Sequence, residues 1–184
     1  MTDEQLVMLC KQGEESAYEL LIQRYHQQLY NFVLGYAGEV QLTEDIVQET
    51  FIKMINSIDK FKYKESAKFS TWLFTIARNT ITDEFRKRKI RETVSIEDDD
   101  AVSPDSVEAK IIHNDTVSNL NHAIGALPHD LKSIILLRYY MDFSYKEIST
   151  IISSTPEKVK WRLHYAVEKI RKMLKLKGVN MDET

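Results

Sequence analysis

The chain is poor in helix-breaking residues: its 184 positions include five glycines and three prolines. Long stretches free of both can run as helix, because these two residues interrupt helical sequence most strongly. A single cysteine, Cys10, excludes an internal disulfide, and no Cys/His cluster has zinc spacing. That fits a reducing compartment. No apolar run approaches the roughly 18 residues that span a bilayer. The opening residues Met1-Thr2-Asp3-Glu4 carry no basic segment followed by an apolar one, so no secretory signal is read there. A soluble, cytoplasmic protein is expected, with no membrane insertion. A Gly-rich phosphate loop is missing, no nucleophile has a base beside it, and the five histidines are scattered. These absences argue against an enzyme, a bound cofactor, a metal or a small-molecule substrate.

What is present is segregated charge. The net charge of −3 conceals balances of −6 over residues 1–60, +5 over 61–92, −7 over 93–130 and +5 over 131–184. Two basic blocks split by an acidic one point to two anionic contact surfaces, although charge runs also occur as plain solvated faces. The apolar periodicity is helical throughout, and no strand signal persists. An all-α fold of two small helical domains is expected: residues 1–92, an acidic linker over 93–111, and residues 112–178.

In the first domain, helices are read from about Asp3 to Gln12 and from about Glu15 to Ala37, the second with Ala17, Leu20, Leu21, Tyr25, Leu29 and Phe32 at core spacing. Gly38 closes it. Thr43 is read as the cap of a third helix reaching about Ile58. A fourth runs from about Ser70 to Ile90. The linker's Glu97-Asp98-Asp99-Asp100 run repels itself and resists burial. A fresh helix start is read at Ser103-Pro104-Asp105, reaching about Ala126, and another helix from His129 to Tyr140.

The most informative segment follows. Ser144-Tyr145-Lys146-Glu147 has the form of a capping box, and Ile148, Ile151 and Ile152 continue it as a short amphipathic helix. The pattern breaks at Ser153-Ser154. Thr155-Pro156 then starts a second helix, with Val159, Leu163, Ala166, Val167, Ile170 and Leu174 on one side. Glu157, Lys158, Trp161 and Tyr165 fall opposite that stripe, with Lys160 and Arg162 on its shoulders. This is the layout of a helix-turn-helix whose second helix enters a DNA major groove. A helical hairpin with a basic outer face shares the pattern.

Two further constellations stand in the first domain. On the third helix, Val47, Phe51, Met54, Ile55 and Ile58 make the expected buried face, while Asp45, Gln48 and Glu49 form a polar patch at i, i+3, i+4. That patch is either solvated or a docking surface for a basic partner. The stretch from Phe61 to Asn79 interleaves aromatics with lysines, which suits single-stranded nucleic acid. Phe69, Trp72, Leu73 and Ile76 have core spacing there, so Lys62, Tyr63, Lys64, Ser66 and Lys68 are the better contact candidates. Arg86, Lys87, Arg88, Lys89 and Arg91 could hold phosphate or complement the helix end.

These residues resemble a known family. Asp45-Ile46-Val47-Gln48-Glu49-Thr50-Phe51, Phe69-Ser70-Thr71-Trp72-Leu73, Ile76-Ala77-Arg78-Asn79 and Asp83 with the basic cluster resemble region 2 of bacterial extracytoplasmic-function sigma factors of the sigma-70 family. Ala126-Leu127-Pro128, the run 136–140 and the helix-turn-helix, with Val159-Lys160 and Arg162-Leu163-His164, resemble region 4. The resemblance implies that Asp45, Gln48, Glu49 and Ile52 dock on core RNA polymerase. It implies that Lys62, Tyr63, Lys64, Ser66, Lys68, Arg78, Asn79, Arg86 and Arg88 meet the −10 promoter element, where an unstacked non-template base is captured. Glu157, Lys158, Lys160, Trp161, Arg162 and Tyr165 would then read the −35 element as duplex. From the family alone, an anti-sigma factor is a further partner. Departures from the family pattern are Ser153, where a glycine is usual, Ser154 for an aliphatic residue, Trp161 for a small one, and Tyr165, a position often held by arginine. Two other functions keep the same helix-turn-helix: a stand-alone regulator binding an operator without polymerase, and a protein-interaction module using the acidic first half. With no fused regulatory domain read, control is expected from a separate protein or from expression.

Overall fold

Capping chemistry sets the first helix. The Thr2 hydroxyl accepts the Gln5 N–H at 3.3 Å and the Gln5 side chain accepts the Thr2 N–H at 2.9 Å, a reciprocal box that satisfies two otherwise orphaned donors. The computed structural model describes residues 1–63, 68–94 and 115–176, and the regular structure among them is all helical. The chain divides into two compact units, Met1–Ser106 and Val107–Thr184.

The first unit holds α1 (Asp3–Lys11), α2 (Glu15–Ala37), α3 (Val40–Ser57), a 3-10 turn at Ile58–Lys60, and α4 (Phe69–Val94). Gly38 ends α2 at φ +72°, a left-handed conformation that glycine adopts without a Cβ penalty. Leu21, Leu29 and Phe32 of α2, Ile46 and Met54 of α3, and Phe69, Leu73, Phe74 and Ile81 of α4 are fully buried together. Phe32 and Phe74 pack with centroids 5.3 Å apart.

Three expectations change. Thr43 is no cap: α3 starts at Val40, and the Thr43 hydroxyl donates to the Glu39 carbonyl at 2.7 Å within the helix. Starting earlier buries Leu42 at 3% exposure, worth about 1.5–3 kcal/mol against about 1 kcal/mol for a side-chain cap. Leu20 and Ile55, expected in the core, are 44% and 41% exposed. Leu20 lies roughly 140° and Ile55 roughly 125° round its helix from the centre of the buried face at about 100° per residue. Trp72 and Ile76, also expected inside, are half-buried, while Phe74 and Ala77 take the interior positions. α4 runs to Val94; the rest of the acidic linker and the helix start at Ser103 lie outside the described residues.

The second unit holds α5 (Asp115–Gly125), α6 (His129–Ile135), α7 (Tyr145–Ile151) and α8 (Pro156–Leu176). α6 does not continue as one α-helix to Tyr140. Leu136–Tyr140 widens into a π turn, with the Met141 N–H reaching the Leu136 carbonyl at 3.2 Å. Arg138 braces the exit: it donates to the Phe143 carbonyl at 3.1 Å and sits 5.2 Å above the Tyr145 ring. α6 is buried nearly all round, including Lys132, whose ammonium pKa burial lowers. The α8 stripe of Val159, Leu163, Ala166, Ile170 and Leu174 closes this core, with Val167 at its half-buried edge.

Candidate docking and nucleic-acid interfaces

On α3, the apolar stripe turns inward and leaves Asp45, Gln48, Glu49 and Ile52 exposed side by side. The structure brings all four onto one surface between two grooves. One groove, about 490 Å³, lies against α4; Asp45, Glu49, Lys53 and Arg86 are among its lining residues. The other, about 410 Å³, lies against α2 and is lined by His26, Tyr30, Phe51, Gln48, Ile52 and Ile55. His26 stacks between Tyr30 and Phe51, at 6.3 Å from each ring. Periodicity read Ile55 as core, so this apolar groove beside the carboxylates was missed. Its signal was present in Ile52, which lies opposite the face carrying Ile46, Val47 and Met54 and has Ile55 three residues on.

The segment before α4 is anchored at its base. Phe61 is buried, its ring 4.8 Å from Trp72, and its carbonyl accepts from Lys11 Nζ at 2.5 Å. Lys62, Tyr63 and Lys68 are exposed. Lys64 and Ser66 lie outside the described residues. Tyr63 packs edge-on against Phe61 at 6.3 Å. Desolvation and the hydrogen-bonded Glu4 carboxylate raise the Tyr63 phenol above its ordinary pKa. Sequence reasoning missed this link to α1, because no local pattern couples Glu4 and Lys11 to residues fifty or more positions away.

Along α4, Asn79 and Arg86 are exposed, and Arg78 is half-buried. The basic cluster is partly neutralised at home. Arg88 bridges to Glu39 at the start of α3 at 3.1 Å and to Glu84 at 3.7 Å. Lys87 lies 4.0 Å from Glu84 and Arg86 3.9 Å from Asp83. Arg88 thus joins two helices as well as carrying charge.

In the second unit the capping box forms as read: the Glu147 N–H reaches Ser144 Oγ at 3.3 Å and the Ser144 N–H reaches Glu147 Oε2 at 2.9 Å. Ser153 takes φ +53° in the turn between α7 and α8, the conformation a glycine would adopt freely. Thr155 caps α8 loosely, its hydroxyl 3.4 Å from the Lys158 nitrogen. On the outer face of α8, Glu157, Lys158, Lys160, Trp161 and Tyr165 are exposed and Arg162 is half-buried. Trp161 and Tyr165 stack with centroids 5.6 Å apart and planes 4° from parallel.

One unit presents an exposed carboxylate face and the other is built on a helix-turn-helix, the layout of a DNA-binding transcription protein. Residues 21–90 match the family model for sigma-70 region 2, and residues 123–172 match that for sigma-70 region 4. The chain is 30% identical to the ECF RNA polymerase sigma factor SigX of Bacillus subtilis, over 88% of this chain and 86% of that protein. It is 33% identical to the ECF RNA polymerase sigma-E factor of Escherichia coli, over 92% of this chain and 93% of that one. It belongs to the extracytoplasmic-function (ECF) family of RNA polymerase sigma factors. It binds core RNA polymerase and promoter DNA and directs transcription initiation. Two solved structures share the fold. CnrH in complex with the cytosolic domain of CnrY has a TM-score of 0.71 at 20% identity, covering 95% of this chain and 97% of that one. RpoE in complex with the anti-sigma factor NepR, from Bartonella quintana, has a TM-score of 0.70 at 22% identity, covering 90% and 98%.

Proposed function

We propose that the two units divide promoter recognition, with residues 1–92 as the docking and −10 module, 93–111 as a linker, and 112–178 as the −35 module. The observation that carries this reading is the pair of exposed faces opposite buried stripes, one acidic on α3 and one basic and aromatic on α8. Asp45, Gln48, Glu49 and Ile52 dock on core polymerase, the carboxylates meeting basic groups and Ile52 adding apolar area beside the α2 groove. Lys62, Tyr63, Lys64, Ser66 and Lys68 surround the unstacked −10 base, and Arg78, Asn79, Arg86 and Arg88 follow the strand along α4. Glu157, Lys158, Lys160, Trp161, Arg162 and Tyr165 meet the −35 duplex, with the cations on phosphates and the remainder at base edges.

The protein acts in the cytoplasm, where the polymerase is, and catalyses no reaction of its own. Among the described residues, no helix is long and apolar enough to cross a membrane. A protein regulator of the anti-sigma kind is a further partner; CnrH and RpoE, which share this fold, are each seen with a second protein. Run-off transcription tests the whole reading, with purified chain and bacterial core polymerase on sheared genomic DNA of the source cell. Discrete starts sharing two spaced upstream elements are expected. Core binding without any start would overturn the promoter-recognition part, and absence of core binding would overturn the docking face.

A further inference from the structure

We infer that the stacked Trp161–Tyr165 pair is a methyl reader: it selects thymine in the −35 duplex by covering C5-methyl groups in the major groove. This rests on the proposed entry of α8 into that groove and adds which base the helix chooses and by what chemistry. Trp161 is 65% exposed and Tyr165 49% exposed, an unusual amount of aromatic surface to leave in water on a basic helix. The two rings lie one helical turn apart with planes 4° from parallel. Each ring therefore limits the other's rotamers, and the pair presents one preformed apolar plate with little ordering left to do on contact.

An aromatic plate has few possible targets in an intact duplex. The bases are stacked on one another, so their faces are closed to it. The major-groove edges of G, C and A offer polar atoms, and covering those with a ring leaves donors or acceptors without partners. Thymine carries the O4 acceptor as well, but it alone adds a methyl group, on C5, that projects into the groove and can be covered without burying a polar atom. Lys158 lies on the same side of the helix at i−3 from Trp161, with Lys160 and Arg162 flanking it, and these cations can hold the backbone while the plate faces the base edges. The plate thus favours thymine by contact and disfavours the other bases by desolvation.

The test uses full chain with core polymerase to enrich promoter duplexes from a randomised pool. The best duplex is then remade with each −35 thymine replaced by deoxyuridine, which removes only the methyl. We expect affinity to fall about fourfold at one or two adjacent positions, the size of one buried methyl group, with no change in salt dependence. In Trp161→Ala/Tyr165→Ala the uracil and thymine duplexes should bind equally. The wild-type comparison needs no variant and so stands even if the double variant folds poorly. An enriched −35 element indifferent to uracil would overturn the inference while leaving the α8 reading intact. A uracil effect that survives in the double variant would assign the methyl to other residues and overturn it as well. If no upstream element is enriched, the α8 reading itself fails. If the double variant binds every duplex as wild type but loses a protein partner, the plate is a protein-docking surface instead.

Discussion

Ser153 holds a left-handed backbone, φ +53°, at the turn that sets the angle between α7 and α8. A side chain there costs about 1–2 kcal/mol, and glycine would give back part of that through its own chain entropy, about 0.5–1 kcal/mol. Ser153→Gly should therefore raise the stability of the second unit by about 0.5–1 kcal/mol in urea unfolding, with promoter affinity unchanged. A second residue gives that unit a pH dependence. Partial burial, and then the Lys132 ammonium, lower the pKa of His129 from its ordinary 6.5. The unfolded chain then takes up the proton more readily, so stability is full above about pH 6.5 and is lost as pH falls through the folded-state value. Between about pH 7.5 and about pH 5, the wild-type urea midpoint should drop further than that of His129→Gln. Equal drops would show that the imidazole is not responsible.

At the scale of the element, α3 and α4 carry the experiments that separate binding from folding. Asp45 and Glu49 are exposed, and the Glu49–Lys53 pair, at 3.5 Å and open to solvent, contributes little. Asp45→Ala/Glu49→Ala should weaken core polymerase binding about a hundredfold or more, since each of the two carboxylates meeting a basic group is worth about 1.5–3 kcal/mol, with circular dichroism and unfolding unchanged. Unchanged affinity would remove these carboxylates from the docking face. The two arginines of α4 should behave differently. Arg86→Ala should weaken promoter binding, lower the salt slope by about one and leave the fold alone. Arg88→Ala should also cost the first unit about 0.5–1 kcal/mol of stability, because Arg88 ties α4 to Glu39 of α3. That double role was invisible in the basic run 86–91, where every cation looks alike.

Across the whole molecule, each unit has its own core, Leu73 fully buried in one and Leu163 at 5% exposure in the other. Leu73→Ala and Leu163→Ala should each remove about 2–4 kcal/mol, shifting different transitions in the unfolding of the full chain. A single transition shifted alike by both variants would mean the two cores unfold as one. The pI near 6.0 says nothing useful about DNA binding, since the opposing charges sit in separate stretches.

The sequence by itself determined the helical class, the two-part layout and the helix-turn-helix. Those follow from short-range physics: apolar residues at helical spacing, the Ser144–Glu147 box, proline after Thr155, and few breakers. It also placed Trp161 and Tyr165 on the outer face of α8, because a strong apolar stripe leaves only one side free. Tertiary structure decided what local rules cannot weigh. It started α3 at Val40 because burying Leu42 outweighs a cap at Thr43, and it turned Leu20 and Ile55 outward because α2 and α3 face their neighbours along a different line. It also tied Arg88 to Glu39 and Tyr63 to Glu4. Such contacts depend on which distant side chains the packed helices bring within a few ångströms, and periodicity along the chain carries no record of that distance.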